Sequence, residues 1–175
     1  MLSYSQREFK SKELNKNIDV SAKARERNMH HKDKVQHVFI VGSKGIPGNY
    51  GGYETFVDKL TEYHQNNPNL HYHVACKSDE AGSFLYHNAH CFKVKVPNIG
   101  PAQAIYYDLA ALRYCLKYIQ KHHVESPIVY VLACRIGPFA AYFQKKIHKL
   151  GGKLFVNPDG HEWLRAKWSK PVRMY

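Results

Sequence analysis

From residue 35 onward the chain alternates short apolar runs with longer stretches whose apolar positions recur every three or four residues. "VQHVFIV" (Val35–Val41), "LHYHVAC" (Leu70–Cys76), "AHCFKVKV" (Ala89–Val96), "PIVYVLA" (Pro127–Ala133) and "KLFVNP" (Lys153–Pro158) have the length and the β-branched or aromatic content of strands. Between the first two, Tyr53, Phe56, Val57, Leu60 and Tyr63 fall on one side of a helix. After "NIGPAQ" a longer helix carries Ile105, Leu109, Leu112, Leu116 and Ile119 on one side, and a further helix is expected near Pro138–Leu150. Strands alternating with helices build βαβ units, so the expected fold is α/β: a Rossmann-like, doubly wound, mainly parallel sheet. Ligands in such sheets gather at the carboxyl ends of the strands. That directs attention to Gly42–Gly52, Lys77–Asn88, Val96–Gln103, Cys134–Pro138 and Asn157–Lys167.

Residues 1–34 are polar and highly charged with no sustained period, and read as a flexible basic tail ahead of one domain over 35–175. Such a tail could rest on anionic lipid headgroups or simply be solvated. With 44% hydrophobic and 13% aromatic residues, the 175-residue chain can bury enough apolar surface for one ordinary core. No apolar run approaches the roughly 18 residues of a membrane span, and the N-terminus has no signal-type apolar core, so a cytoplasmic protein is expected. Cys76, Cys91, Cys115 and Cys134 form no CxxC pair and read as reduced, mostly buried thiols. The net charge of +12 favours a polyanionic partner: nucleic acid, an anionic membrane surface or a phosphate-bearing substrate.

The stretch "VGSKGIPGNYGGYETFV" narrows that choice. Gly42, Gly45, Gly48, Gly51 and Gly52 fall between the first strand and the first helix. A turn of this kind offers bare backbone N–H groups beside a positive helix N-terminus, suited to a diphosphate or a sugar; the competing reading is a tight turn that needs positive φ angles. The spacing lacks GK[ST], so it is not a P-loop, and it is longer than the dinucleotide GxGxxG, which disfavours a dehydrogenase. Asp79 is placed better in a polar turn than on a ribose. Glu54, in the first turn of the helix, is either a capping charge or a ligand contact, and Lys44 either adds charge to the site or is solvated.

"GSKGIPGNYGGYETFV", "VPNIGPAQAIYYD" and "NPDGHEWLRAKWSKPVR", in that order, resemble the N-terminal domain of bacterial GT-B rhamnosyltransferases, glycosyltransferase family 4-like, of capsular and cell-wall polysaccharide synthesis. The resemblance runs from about Val38 to the last residue. It implies a two-domain, metal-independent enzyme without cofactor. The acceptor-side half would be present in this sequence and the C-terminal donor domain absent, so the chain alone would be inactive. It further implies dTDP-rhamnose as the nucleotide sugar and a polyprenyl-diphosphate-linked sugar as acceptor, at the inner face of the cell membrane.

On that reading Gly45, Gly48, Gly51, Gly52 and Glu54 approach the donor diphosphate or its sugar. Asp159, following the last strand, is the catalytic carboxylate; its alternative is a Pro-Asp-Gly turn. Arg135, His161 and Glu162 contact the acceptor, and Trp163 and Trp168 stack on sugar, meet the membrane or pack in the core. His71 and His73 share a strand face and could bind a metal only with partners from elsewhere; no metal site is expected. The alternative to an enzyme is a non-catalytic module that binds acceptor or membrane. A nucleic-acid binder would rest on charge alone, since RRM, KH, helix-turn-helix and finger signatures are missing.

Overall fold

A computed structural model describes residues 35–48 and 51–158. The expectations for the tail at 1–34 and for Asp159, His161, Glu162, Trp163 and Trp168 lie outside the described residues. The described residues from Gln36 onward belong to one unit.

The chain runs β1 (Gln36–Val41), α1 (Gly52–His64), β2 (Leu70–Ser78), β3 (Gly82–Tyr86), β4 (Ala89–Lys95), α2 (Gln103–Lys121), β5 (Ile128–Val131), α3 (Ala140–Lys149) and β6 (Lys153–Val156). Single 3-10 segments, Gly100–Ala102 and Cys134–Phe139, lead into α2 and α3. The six strands form one sheet in the order β3-β4-β2-β1-β5-β6, parallel except for the β3–β4 pair. This is the doubly wound α/β fold expected from the alternating pattern.

Strand β1 holds the centre, with Val38 opposite both Tyr72 of β2 and Ile128 of β5. A central parallel strand is covered on both faces, which is why Phe39, Ile40 and Val41 are consecutive and fully buried rather than alternating. Phe39 and Val41 pack with Leu112, Cys115 and Ile119 of α2 and Phe143 and Ile147 of α3. Ile40 points the other way, into a cluster with Val57 of α1, Val74, Cys91 and Leu132.

Helix α2 buries Tyr107, Asp108, Ala111, Leu112, Cys115 and Ile119. Its buried stripe is thus rotated from the all-aliphatic one expected, and Leu109 and Leu116 pack along its margin. Small residues at Ala111 and Cys115 let the helix axis approach the sheet, while the larger side chains fill the flanks. Full burial of a side chain such as Leu112 or Ile119 contributes about 1.5–3 kcal/mol.

Strand β3 was not among the expected elements. It forms the antiparallel edge of the sheet with β4, across a two-residue turn in which His87 (φ 47°) and Asn88 (φ 58°) both have positive φ. Hairpin turns of that hand favour Asn-Gly, so "His-Asn" gives no usual sequence signal.

From β1 the chain steps outward through β2 to β4, then returns across the sheet to β5 and β6. The order therefore reverses between β1 and β5. A crevice at the carboxyl ends of these two strands is the general ligand position in this architecture. The segments that leave β1 and β5 there are the glycine loop and "ACRIGP".

Candidate functional site

The glycine loop is held largely by its own chain. Gly45 has φ +111°, and a Cβ on it would fall 2.7 Å from the Cα of Cys76 in β2. Lys77 N–H donates to the Lys44 carbonyl at 2.9 Å, so the loop lies along the end of β2. Gly48 N–H donates to Asp58 Oδ2 at 3.1 Å, and the Gly51 carbonyl accepts both the N–H and the hydroxyl of Thr55. Asp58 in turn faces His87 of the β3–β4 turn at 3.3 Å. A Cβ on Gly48 would meet the Glu54 backbone and one on Gly51 the Glu54 carboxylate.

Gly52 differs: among the described residues nothing lies within 4 Å of where its Cβ would be. It opens α1 and, with Tyr53, Phe56, Tyr130 and Asn157, lines a cleft of about 500 Å³. The first turn of α1 brings the partial positive charge of a helix N-terminus to that cleft.

Glu54, in this turn, accepts the Lys44 backbone N–H at 2.7 Å through Oε1. Its carboxylate braces the loop, and the Lys44 side chain stands at an exposed position. Replacing Glu54 with alanine should lower stability by about 1–2 kcal/mol, as a charge-assisted bond to a backbone donor is lost. Urea unfolding measures this; an unchanged midpoint would mean that the bond contributes nothing.

Arg135 occupies the reversal point. Its Nε and Nη2 grip Asp108 of α2 at 2.8 and 3.1 Å, and Nη2 also donates to the Gly42 carbonyl at 2.8 Å. Asp108 is fully buried and the arginine side chain 37% exposed. Burial raises the Asp108 carboxyl pKa and the guanidinium opposes it. Burial also works against the charge of Arg135, but Asp108 outweighs it and raises the arginine's pKa. With both carboxylate oxygens bonded in a fork, the pair is an ion pair. Next to it, the buried Tyr107 hydroxyl donates to the Ser43 carbonyl at 2.7 Å. Consecutive carbonyls of the loop, Gly42 and Ser43, are thereby held from α2 and from the β5 exit. The Ser43 hydroxyl, also buried, has no hydrogen-bond partner among the described residues.

Asp108 and Tyr107 were absent from the expected site residues. The available signal was an acid inside an apolar helix stripe, "YYDLAAL", which requires a partner when buried. Only the fold shows that the partner is Arg135. Arg135 keeps Nη1 outside these bonds, so one edge of its guanidinium has no hydrogen bond to a described residue. Lys77, at the end of β2, reaches Gln103 at the start of α2 at 3.1 Å. Asp79 is exposed in the bend before β3, as a solvated acid.

The structure thus gathers Gly42, Gly45, Gly48, Gly51, Gly52, Glu54 and Arg135 at one edge of the sheet. Residues 35–175 match the family described as "Domain of unknown function (DUF1972)". The chain belongs to this family. No curated protein matches the DUF1972 chain. Among solved structures it is similar to one described as trehalose-6-phosphate from E. coli bound with UDP-2-fluoro glucose, at 11% identity and a TM-score of 0.38. The alignment covers 64% of this chain and 30% of that one, so the DUF1972 chain spans about a third of that structure's length. Among its described residues no helix is long and apolar enough to cross a membrane, and no group of three or more His, Cys, Asp or Glu is arranged to hold a metal ion.

Proposed function

We propose that the chain is the acceptor-side domain of a glycosyltransferase of GT-B architecture, transferring rhamnose from a dTDP-sugar to a polyprenyl-diphosphate-linked saccharide. The observation that supports it best is the edge where the strand order reverses between β1 and β5: a loop clamped by Tyr107 and by Arg135, itself held by Asp108, leads into the N-terminus of α1 beside an aromatic-lined cleft. The finer reading rests on the resemblance of three long motifs to those of rhamnosyltransferases.

In this scheme Gly45, Gly48 and Gly51 set the path of the loop, and Gly52 and the first turn of α1 are the part open to a phosphate or sugar. Arg135 turns its remaining edge toward the acceptor phosphate. The donor C1–O bond to the diphosphate breaks and a bond from the acceptor oxygen to C1 forms. The acceptor hydroxyl proton passes to Asp159, and the nucleoside diphosphate leaves with the bonding electrons. His161 and Glu162 orient the acceptor, and a second domain grips the nucleotide.

The test is transfer from dTDP-rhamnose to a glucosyl polyprenyl diphosphate mimic, with and without a C-terminal half. The 175-residue chain alone should turn over little or nothing. With the partner half, Asp159→Ala should lower the rate by about 10²-fold or more. Gly52→Val should weaken donor use while the protein stays folded. Wild-type rates in both variants would remove the site assignment. Retained acceptor binding with no transfer under any pairing would instead support the non-catalytic module.

A further inference from the structure

At the other end of the strands, away from this edge, five histidines converge. His37 of β1, His71 and His73 of β2, and His90 of β4 come from three adjacent strands, and His122 follows the last residue of α2. His73 is fully buried. Its Nε2 lies 2.9 Å from His37 Nδ1 and its Nδ1 lies 3.2 Å from His90 Nδ1. The His71 ring stands edge-on to both His37 and His73. Phe39 stacks on His73 at 4.3 Å between ring centres. Tyr118 of α2 covers the group, 4.6 Å from His73, 5.5 Å from His90 and 4.2 Å from His122.

Counting hydrogens on this chain of three rings gives a sharp limit. Each facing nitrogen pair can share one hydrogen, and the two outward Nε2 atoms of His37 and His90 can carry one each. Three neutral imidazoles bring three hydrogens, and four can be placed without a clash. The chain therefore accepts one proton. A second would force two N–H groups to point at each other across 2.9 or 3.2 Å. A metal does not fit in place of the hydrogens: both nitrogens of His73 are committed to different partners, and two imidazole nitrogens on one tetrahedral zinc stand about 3.4 Å apart.

We propose that this histidine chain is an acid-sensitive catch, which holds the last turns of α2 against the sheet while its imidazoles are neutral and releases them once a second proton enters. The groups facing His73 are His37 from β1, His71 from β2, His90 from β4, and Tyr118 and His122 from the end of α2. Histidines supply the charges acting on it, and no carboxylate among the described residues offsets them. Burial, followed by His71, His37, His90 and His122, lowers the His73 pKa to about 2. Burial and neighbouring histidines lower those of His37 and His90 as well. The sign follows: lowered folded-state pKa values contribute stability that is fully present above the ordinary value of about 6.5 and is lost as pH falls below it.

The measurement is hydrogen exchange of the full chain across pH 7.5 to 5, corrected for intrinsic rates and read by peptide. Protection over residues 115–124 should fall at least about a hundredfold per pH unit below pH 6, because two or more protons enter on opening; one proton would give about tenfold. The N-terminal turns of α2 should keep their protection longer. His73→Phe should make the fall in protection over 115–124 clearly shallower than in the parent, because His37 and His90 are left without the ring that links them. If that variant does not fold, His90→Gln serves, and should move the midpoint down by at least about half a pH unit. Persistent protection at pH 5, a one-proton slope, or a wild-type profile in either folded variant overturns the proposal.

Discussion

Replacing Gly45 with alanine should cost about 3–5 kcal/mol, a large part of the stability of a domain this size. The added methyl would sit 2.7 Å from the Cα of Cys76 and about as close to its Cβ and sulfur. Real Cβ contacts do not approach so closely, and the near atoms include strand backbone, which cannot turn aside as a side-chain tip can. The φ of +111° adds strain of about 1–3 kcal/mol for any L side chain. Relief would require the loop to leave β2, giving up the bond between Lys77 N–H and the Lys44 carbonyl. Urea unfolding of Gly45→Ala beside Gly52→Ala makes the comparison. The second should stay within about 0.5 kcal/mol of the parent, because no described residue lies within 4 Å of its added methyl and the position is helical. Equal midpoints for the two variants would refute the picture of a loop packed on its own strands.

Removing one partner of the Asp108–Arg135 pair is the second large effect. Arg135→Met leaves a fully buried carboxylate without a counter-ion and should destabilise by about 3–5 kcal/mol. The Gly42 carbonyl also loses its guanidinium donor. Asp108→Asn in the same chain should recover a substantial part, with a coupling energy of about 1–3 kcal/mol. The pH dependence has a definite sign. Without the guanidinium only burial acts on Asp108, so its folded-state pKa lies above the unfolded value. The deficit of Arg135→Met relative to the parent at the same pH should be smallest in acid and grow as pH rises through that pKa. A pH-independent deficit, or a double variant no better than the single, would show that the pair does not act as a unit.

These predictions separate structural from chemical roles within one loop. Five glycines close together read as a ligand cradle, because bare backbone is what a phosphate needs. In the fold several of them face the protein's own atoms: Gly42 the backbone of Leu132 and Ala133, Gly45 the end of β2, Gly48 and Gly51 the first turn of α1. Gly52 alone among the five has no described residue within 4 Å of its added Cβ. Spacing along a chain tells how often a side chain is missing, not what occupies the place. The same holds for Arg135, whose position after a strand was legible, but whose guanidinium proves to be committed on two sides by Asp108 and Gly42.

The histidines show the limit from another direction. Pairs such as His71/His73 are visible as a strand face, yet His37, His90 and His122 are distant in sequence and carry no common spacing. Parallel pairing sets His37 beside His71 and His73 beside His90, and α2 then brings His122 and Tyr118 over them.

The sequence by itself determined the alternation of strands and helices, hence the parallel α/β sheet and the edge at which its loops gather. Those features follow from hydrophobic periodicity and turn chemistry, which are local. The tertiary structure decided the reversed strand order, the antiparallel edge strand β3, the buried partner of Arg135 and the meeting of the five histidines. Each of these depends on which distant segments pair across the sheet, and that is selected by the joint burial of both faces and the satisfaction of buried polar groups, not by any one segment's composition.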